Sequence, residues 1–237
     1  MLSLCEGNDG VIRALVDRPG HDLEPSIMIG GWAMFVRVGG KISLDIDLIT
    51  SQESRHKLEQ LMTDLSPSNN HDVRNLRATI YDVHLDIYLP YESQLGGKLR
   101  LKVEVLAEYP DEVSFEKCTL LRLEAHIATK MAALLDRHFS EKGHKDACEI
   151  LSLLKLDGVD PAVAAEVLHR ASTVEVQKLP AMIGEVFDLI GNIIRLSKTD
   201  QKIIASARKL WVSELHRRGM PPQTSRPQCS GGSFAII

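Results

Sequence analysis

Several features that mark particular classes of protein are scarce or missing in this sequence. The four cysteines (Cys5, Cys118, Cys148 and Cys229) are scattered, without a C-x-x-C pair or a Cys/His cluster. This pattern argues against a structural zinc site and against a disulfide framework. A chain without such cross-links is typical of a reducing compartment, so we expect a cytoplasmic protein.

Membrane and export signals are also missing. No apolar run approaches the roughly 18 residues that a membrane-spanning helix needs. The first ten residues, MLSLCEGNDG, have neither the basic segment nor the apolar core of a signal peptide. We therefore expect no membrane partner.

The chain has no excess of basic residues. Its 28 Lys and Arg residues face 32 Asp and Glu residues, and the formal net charge is −4. This argues against a basic coat over the whole surface for nucleic-acid binding, although a local basic patch stays open. The 237 residues, 44% of them hydrophobic, are enough for one large domain or two modest ones.

The stretch from Ile27 to Leu48, IMIGGWAMFVRVGGKISLDIDL, combines a glycine pair with a pair of acids. A short apolar run is broken at Gly30-Gly31, and the residues that follow predict a helix. Asp45 and Asp47 then lie two apart on a predicted strand, so that they share one face while the apolar residues beside them point into a core. Two like charges this close repel unless they are neutralised, and carboxylate oxygens suit Mg²⁺ or Mn²⁺. We therefore predict a divalent-cation site.

The glycine pair predicts the complementary half of that site. Glycines let backbone N–H groups approach a ligand closely, and the first amides of a helix are unpaired and partly positive. A phosphate chain would fit between the helix start at Gly30-Gly31 and a cation held by Asp45 and Asp47. Ser43 shares a face with Asp45, where its hydroxyl either contacts a phosphate oxygen or serves a structural role.

A third acid lies within residues 75–89, NLRATIYDVHLDIYL, which alternate between apolar and polar side chains almost throughout. This period predicts two strands, and Asp86 falls on the polar face of the second one. Asp86 is therefore either a third carboxylate beside Asp45 and Asp47 or a solvent-facing strand residue. Three carboxylates at one sheet edge are the arrangement that two-metal phosphoryl transfer needs.

The order of these features resembles a known family. A glycine pair, a helix and then [RK]-x-[ST]-x-D-x-D is similar to the signature of DNA polymerase β-like nucleotidyltransferases, above all to the AbiEii-type toxin group, which includes the MenT-like toxins. The matching residues are Gly30, Gly31, Lys41, Ser43, Asp45 and Asp47. Family members usually carry arginine in place of Lys41, and a lysine keeps the charge but lacks the planar bidentate fork.

The resemblance implies a role for each position. Asp45 and Asp47 would bind both metals, while Asp86 would be a metal ligand that also helps to activate the attacking hydroxyl. The residues that bind the nucleotide would include Gly30, Gly31, Lys41 and Ser43.

A second family signature, K-x-x-A-L-x-x-R followed by [RK]-D, is matched by Lys130, Ala133, Leu134 and Arg137 and then by Lys145-Asp146. Lys130 and Arg137 lie seven residues apart and hence on one helix face. The resemblance implies that both bind the nucleotide, that Lys130 neutralises triphosphate charge during the reaction, and that Asp146 orients this lysine. The alternative is an ordinary solvated helix face, with Asp146 only favouring its own helix N-terminus.

The patterns of the whole chain predict an α+β fold. A nucleotidyltransferase-type mixed β-sheet with flanking helices is expected over residues 1–110, followed by an all-helical domain at 111–218. Strict alternation over 98–106 predicts a further strand, and residues 52–64 predict a helix closed by a turn at SPSNN. The turn-rich residues 219–237 are expected to form a flexible tail.

The expected function is the Mg²⁺-dependent transfer of a nucleoside monophosphate from an NTP to an acceptor hydroxyl, with release of pyrophosphate. The resemblance implies a toxin of a toxin–antitoxin pair that modifies the 3′ end of tRNA, so the expected partners are NTP, tRNA and a cognate antitoxin protein. Two alternatives stay open: a small-molecule nucleotidyltransferase, such as an antibiotic-modifying enzyme, and an inactive nucleotide-binding or partner-docking module. The complete set of acids argues against the inactive module, since a decayed site usually lacks a metal ligand.

Overall fold

The computed structural model describes residues 26–39, 43, 45–60, 63–70, 73–80, 83–111 and 119–219. Within these residues, a mixed six-stranded β-sheet with flanking helices is followed by a helical region. The predicted α+β fold class is thus confirmed. Apart from Gly219, the predicted tail lies outside the described residues.

Most of the described elements in the first half of the chain are strands, and those of the second half are helices. The strands are β1 (Ser26–Ile29), β2 (Asp45–Thr50), β3 (Thr63–Asn70), β4 (Val73–Ile80), β5 (Val83–Tyr88), β6 (Gln94–Leu95), β7 (Leu101–Lys102) and β8 (Thr119–Leu120). The helices are α1 (Gly30–Val38), α2 (Gln52–Glu59), α3 (Val103–Leu106), α4 (Leu123–Arg137), α5 (Glu141–Leu154), α6 (Pro161–Ala171), α7 (Leu179–Ile193) and α8 (Lys198–Gly219). None of the helices in the described part of the chain is both long and apolar enough to cross a membrane.

Strand β2 lies in the interior of the large sheet, whose order is β3-β4-β5-β2-β1-β8. It runs parallel to β5 and antiparallel to β1. Strand β8 pairs in parallel with β1, and β3, β4 and β5 are joined by antiparallel pairing. The acids predicted on β2 and β5 therefore come from neighbouring strands.

Helix α4 is enclosed by the rest of the protein. Every side chain from residue 123 to residue 132 is buried, including the charged side chain of Lys130. This stretch of the helix cannot turn a charged side chain toward water, so such a side chain needs an opposite charge within the protein. This placement makes Lys130 an interior cation rather than a residue of a solvated face.

One hydrophobic core continues from the sheet into the helical region. Ile27 and Ile49 on the sheet belong to the same cluster of buried residues as Phe187 and Trp211 on α7 and α8. Strand β8, which lies beyond residue 110, completes the sheet next to β1. The division into two domains at residue 110 stays a prediction.

Two local predictions were wrong. In the segment 98–106, only Leu101–Lys102 is a strand, and Val103–Leu106 is a short helix. Val103 and Leu106 are both buried, because a spacing of three also puts apolar residues on one face of a helical turn. The SPSNN segment belongs to strand β3 rather than to a turn, since pairing with β4 satisfies its backbone and an edge strand tolerates Pro67.

Candidate active site

Three carboxylates share one face of the sheet across β2 and β5. The strand register sets Asp47 directly beside Asp86 and sets Asp45 beside His84. Alternation along β2 buries Ile46 on the opposite face and leaves Asp45 and Asp47 only partly exposed. The structure thus puts the three acids that the sequence analysis selected on one face of two neighbouring strands, with Asp86 the most enclosed of them at 8% exposure.

The electrostatic surroundings of Asp47 disfavour its charged form. Burial, followed by the adjacent charges of Asp86 and Asp45, raises the pKa of Asp47 from 3.8 to about 7, although Lys130 and Arg137 act in the opposite direction. Close carboxylates behave in this way because two negative charges in a poorly solvated place cannot both be stable. The acid group therefore has a deficit of positive charge that a bound cation would relieve.

Asp86 is held by an arginine that the sequence analysis did not select. Arg77 lies opposite Asp86 in the antiparallel register of β4 and β5. Its Nε and Nη2 atoms donate hydrogen bonds to the two carboxylate oxygens at 3.0 and 3.2 Å. The hydrogen bonds to Asp86 raise the pKa of the Arg77 guanidinium. Both oxygens of Asp86 thus accept a hydrogen bond from Arg77, so this guanidinium competes with a cation for the carboxylate.

The donor set fits a hard divalent cation in its chemistry. Asp45, Asp47 and Asp86 offer only carboxylate oxygens, which Mg²⁺ prefers. Burial, together with the charges of Asp86 and Asp45, raises the pKa of Asp47, and a bound cation would favour its charged form. In the described residues, no three His, Cys, Asp or Glu side chains lie close enough together to form a ready-made metal group. The engagement of Asp86 by Arg77 is consistent with this, because it turns one of the three acids to another partner.

The glycine turn lies directly against the acids. Gly30 has a left-handed φ of +70°, and a Cβ atom added to it would lie 2.0 Å from the Oδ2 atom of Asp47. A Cβ atom on Gly31 would lie 2.6 Å from the Cβ atom of Ser43. Only glycine satisfies both the backbone angle and the contact at position 30.

Helix α1 starts at this turn without a side-chain cap. Its N-cap residue is Ile29, whose side chain cannot accept a hydrogen bond from the first amides. Uncapped amides at a helix start form a partly positive seat for an anion. Ser43 lies next to this seat, whereas Lys41 lies outside the described residues.

Opposite charges are collected between α4 and α5 in a group that we name the helical charge cluster, formed by Lys130, Arg137, Lys145, Asp146 and Glu149. Arg137 donates from Nε and Nη2 to the two oxygens of Asp146 at 2.7 and 2.9 Å. Lys130 lies 3.8 Å from Asp146 but only 2.6 Å from the Oε2 atom of Glu149. Asp146 therefore holds Arg137 more closely than Lys130, and Glu149 is the main partner of the lysine.

The sequence analysis did not select Glu149, and it named Lys145 as part of the second signature without giving it a role. Glu149 follows Asp146 by three positions, which puts both on one face of α5, and this spacing was the available signal. Lys145 lies 3.5 Å from the Oε1 atom of Glu149, so one carboxylate links the two lysines. The Nζ atom of Lys145 lies 3.4 Å from the Cβ position of Gly31, and Asp47 lies against Gly30, so the helical charge cluster reaches the same glycine turn as the acids of the sheet.

Comparisons with known proteins add structural similarity but no sequence relatives. No protein-family model matches the sequence, and no curated protein matches it. One similar solved structure is a candidate nucleotidyltransferase from Thermotoga maritima, at 16% identity over 59% of this chain and 90% of that one, with a TM-score of 0.43. Another is an antigenic nucleotidyltransferase-like protein from Paracoccidioides brasiliensis, at 15% identity over 61% of this chain and 74% of that one, with a TM-score of 0.40.

Proposed function

We propose that this protein is a Mg²⁺-dependent nucleotidyltransferase that moves a nucleoside monophosphate from an NTP to an acceptor hydroxyl. The observation that carries the proposal is the contact between a paired acid and a glycine turn. Asp47 lies beside Asp86 and directly against Gly30, where uncapped amides begin helix α1. A phosphate chain and a divalent cation would satisfy both halves of this arrangement at once.

The charge of each group in the site determines its role in the proposed reaction. Asp45, Asp47 and Asp86 hold the cation, and the amides of Gly30 and Gly31 receive phosphate oxygens. When bound, the cation neutralises negative charge between the carboxylates and the phosphates and withdraws electrons from the reacting phosphorus.

The cationic residues act on the nucleotide from the opposite side. Ser43 lies against the glycine turn, where its hydroxyl contacts the phosphate chain, and the family resemblance gives Lys41 a role in binding the same phosphates. Lys130 and Arg137 neutralise the charge that develops on the leaving group. Lys130 is buried, and a cation acts strongly in a poorly solvated site. Asp146 and Glu149 keep these two cations in place.

The reaction exchanges one phosphorus–oxygen bond for another. The acceptor oxygen forms a bond to the α-phosphorus, and the bond from that phosphorus to the oxygen bridging toward the β-phosphorus breaks. Pyrophosphate leaves with the electron pair, and the hydroxyl proton of the acceptor passes to Asp86. Arg77 must release Asp86 before this carboxylate can take part, because it occupies both oxygens.

The acceptor and the biological role are inferred from the sequence signatures. The two signatures, GG…K-x-S-x-D-x-D at residues 30–47 and K-x-x-A-L-x-x-R…K-D at residues 130–146, resemble those of AbiEii-type toxins. We therefore propose that the acceptor is the 3′ end of a tRNA, that expression is toxic, and that a cognate antitoxin protein restrains the enzyme.

Incubation of the purified protein with Mg²⁺, total tRNA and an NTP labelled at the α-phosphate tests the proposal. Label should appear on RNA, whereas label at the γ-phosphate should not, because only the α-phosphate is transferred. Asp47→Ala should abolish the transfer and relieve toxicity on expression. Label on an aminoglycoside instead of RNA would favour a small-molecule nucleotidyltransferase. If the wild type transfers no label and Asp47→Ala does not change its toxicity, the inactive module is favoured.

A further inference from the structure

The inference concerns Lys145 and rests on the proposed function, which it deepens. The Nζ atom of Lys145 lies 3.4 Å from the position that a Cβ atom on Gly31 would occupy. The hydroxyl oxygen of Ser43 lies 2.9 Å from the same position. An ammonium group, a hydroxyl group and the first turn of helix α1 therefore meet at one point.

This ammonium is fixed from behind by Glu149. The Glu149 carboxylate lies 3.5 Å from Lys145 through one oxygen and 2.6 Å from Lys130 through the other. Its side chain is only 11% exposed, while that of Lys145 is 35% exposed. The ammonium group of Lys145 is thus paired with a buried acid, lies close to Gly31 and keeps part of its side chain exposed.

The charge of the helical charge cluster leaves a cation available for a ligand. Three basic side chains, Lys130, Arg137 and Lys145, face two carboxylates, Asp146 and Glu149. Since Arg137 uses both oxygens of Asp146, the two lysines share Glu149. Lysine carries three donors on its ammonium group, and one carboxylate oxygen at 3.5 Å leaves most of them to other acceptors.

We propose that Lys145 is a phosphate-binding residue that holds the triphosphate of the nucleotide against the glycine turn, with Glu149 as the residue that positions it. The partners are complementary, because phosphate oxygens accept hydrogen bonds and the uncapped amides of α1, the Ser43 hydroxyl and the Lys145 ammonium all donate. Neither a base nor a sugar is needed for this recognition, so the contact is specific for the phosphate chain.

Equilibrium binding of NTP in the presence of Mg²⁺ tests the assignment, with inorganic tripolyphosphate as a second probe that lacks base and sugar. Lys145→Met should weaken the binding of both probes by about tenfold, the scale of one lost charge-assisted hydrogen bond. Lys145→Arg, which keeps the charge, should retain most of the affinity. Lys142→Met, at an exposed position on the same helix, is the matched control and should bind as the wild type does. Thermal unfolding verifies that each variant folds, and Lys145→Gln replaces the methionine variant if that one does not.

The outcomes separate the two proposals. If the wild type binds NTP and neither Lys145→Met nor Lys145→Gln weakens binding, the role of Lys145 is refuted and the proposed function stands. If Lys142→Met weakens binding as much as Lys145→Met does, the effect is one of general surface charge, and the assignment is refuted as well. If the wild type itself binds neither NTP nor tripolyphosphate, the proposed function fails and the assignment fails with it.

Discussion

The raised pKa of Asp47 predicts that the cation-free protein becomes less stable as the pH rises toward neutrality. The pKa is 3.8 in the ordinary reference state and about 7 in the folded protein. The folded state therefore binds a proton at Asp47 more tightly than the unfolded state does. The stability from this proton is fully present below about pH 4 and is lost as the pH rises through about 7.

The size of the effect follows from the shift. A pKa change of about three units corresponds to roughly 4 kcal/mol of differential stability over the full window. Between pH 5 and pH 8, about 2 to 3 kcal/mol of this should be lost, since part of the titration lies below that range. Asp47→Asn carries no titrating proton, so it should match the wild type near pH 4 and exceed it in stability at pH 8.

Urea unfolding of both proteins from pH 5 to pH 8, in the presence of a chelator, measures the difference directly. Addition of Mg²⁺ at pH 8 should stabilise the wild type, because a cation removes the repulsion among the acids, and should not stabilise Asp47→Asn. Asp157→Asn, at an exposed loop position, is the control and should follow the wild type throughout. Parallel stability curves for the wild type and Asp47→Asn would refute the reasoning, as would equal stabilisation of both by Mg²⁺.

Three further predictions concern single residues of the site. Glu149→Gln should lower the free energy of unfolding by about 3 kcal/mol, because Asp146, the acid left beside buried Lys130 at 3.8 Å, is already bound by Arg137. The double change with Lys130→Met should recover most of the loss in urea unfolding. Gly30→Ala and Gly39→Ala should both lose stability from a left-handed φ, yet only Gly30→Ala should abolish nucleotidyl transfer, because only its Cβ atom meets Asp47. Arg77→Gln should bind Mn²⁺ several times more tightly than the wild type in electron paramagnetic resonance titrations, since Arg77 competes with a cation for Asp86, and unchanged or weaker binding would contradict that competition.

The acid half of the site could be predicted from sequence because it depends on local periodicity. Alternation with period two sets Asp45 and Asp47 on one face whatever the rest of the fold does. The position of Asp86 beside Asp47 could not be predicted in this way, because it depends on the parallel pairing of β2 and β5, which no local pattern reveals. The family resemblance supplied that step in advance of the structure.

The basic half could be predicted only in part, because it depends on contacts far apart in the sequence. Arg77 reads as one polar residue of an alternating strand, and only the register of β4 and β5 sets it opposite Asp86. Lys130 is a candidate for a solvated helix face in the sequence, yet every residue of α4 from 123 to 132 is buried. The same limit explains the error at 98–106, where apolar spacing fits both a strand and a helical turn, and tertiary packing decided for the turn.

The arrangement of charge has a physical consequence for any ligand. The sheet contributes carboxylates whose negative charges repel one another, and the helices contribute three cations that are paired with two acids. Direct ion pairs between the acids of the sheet and the helical cations would neutralise both groups. Asp146 and Glu149 bind the helical cations instead, and Arg77 pairs with Asp86. Each half therefore retains charge of its own sign across the glycine turn.

A ligand that joins a divalent cation to a polyanion neutralises both halves at once, whereas a cation or an anion alone neutralises one. Binding of NTP and Mg²⁺ should consequently be cooperative, with each ligand raising the affinity for the other. Titration of each ligand with and without the other measures this effect. Affinities that do not depend on the second ligand would contradict the charge arrangement described for the site.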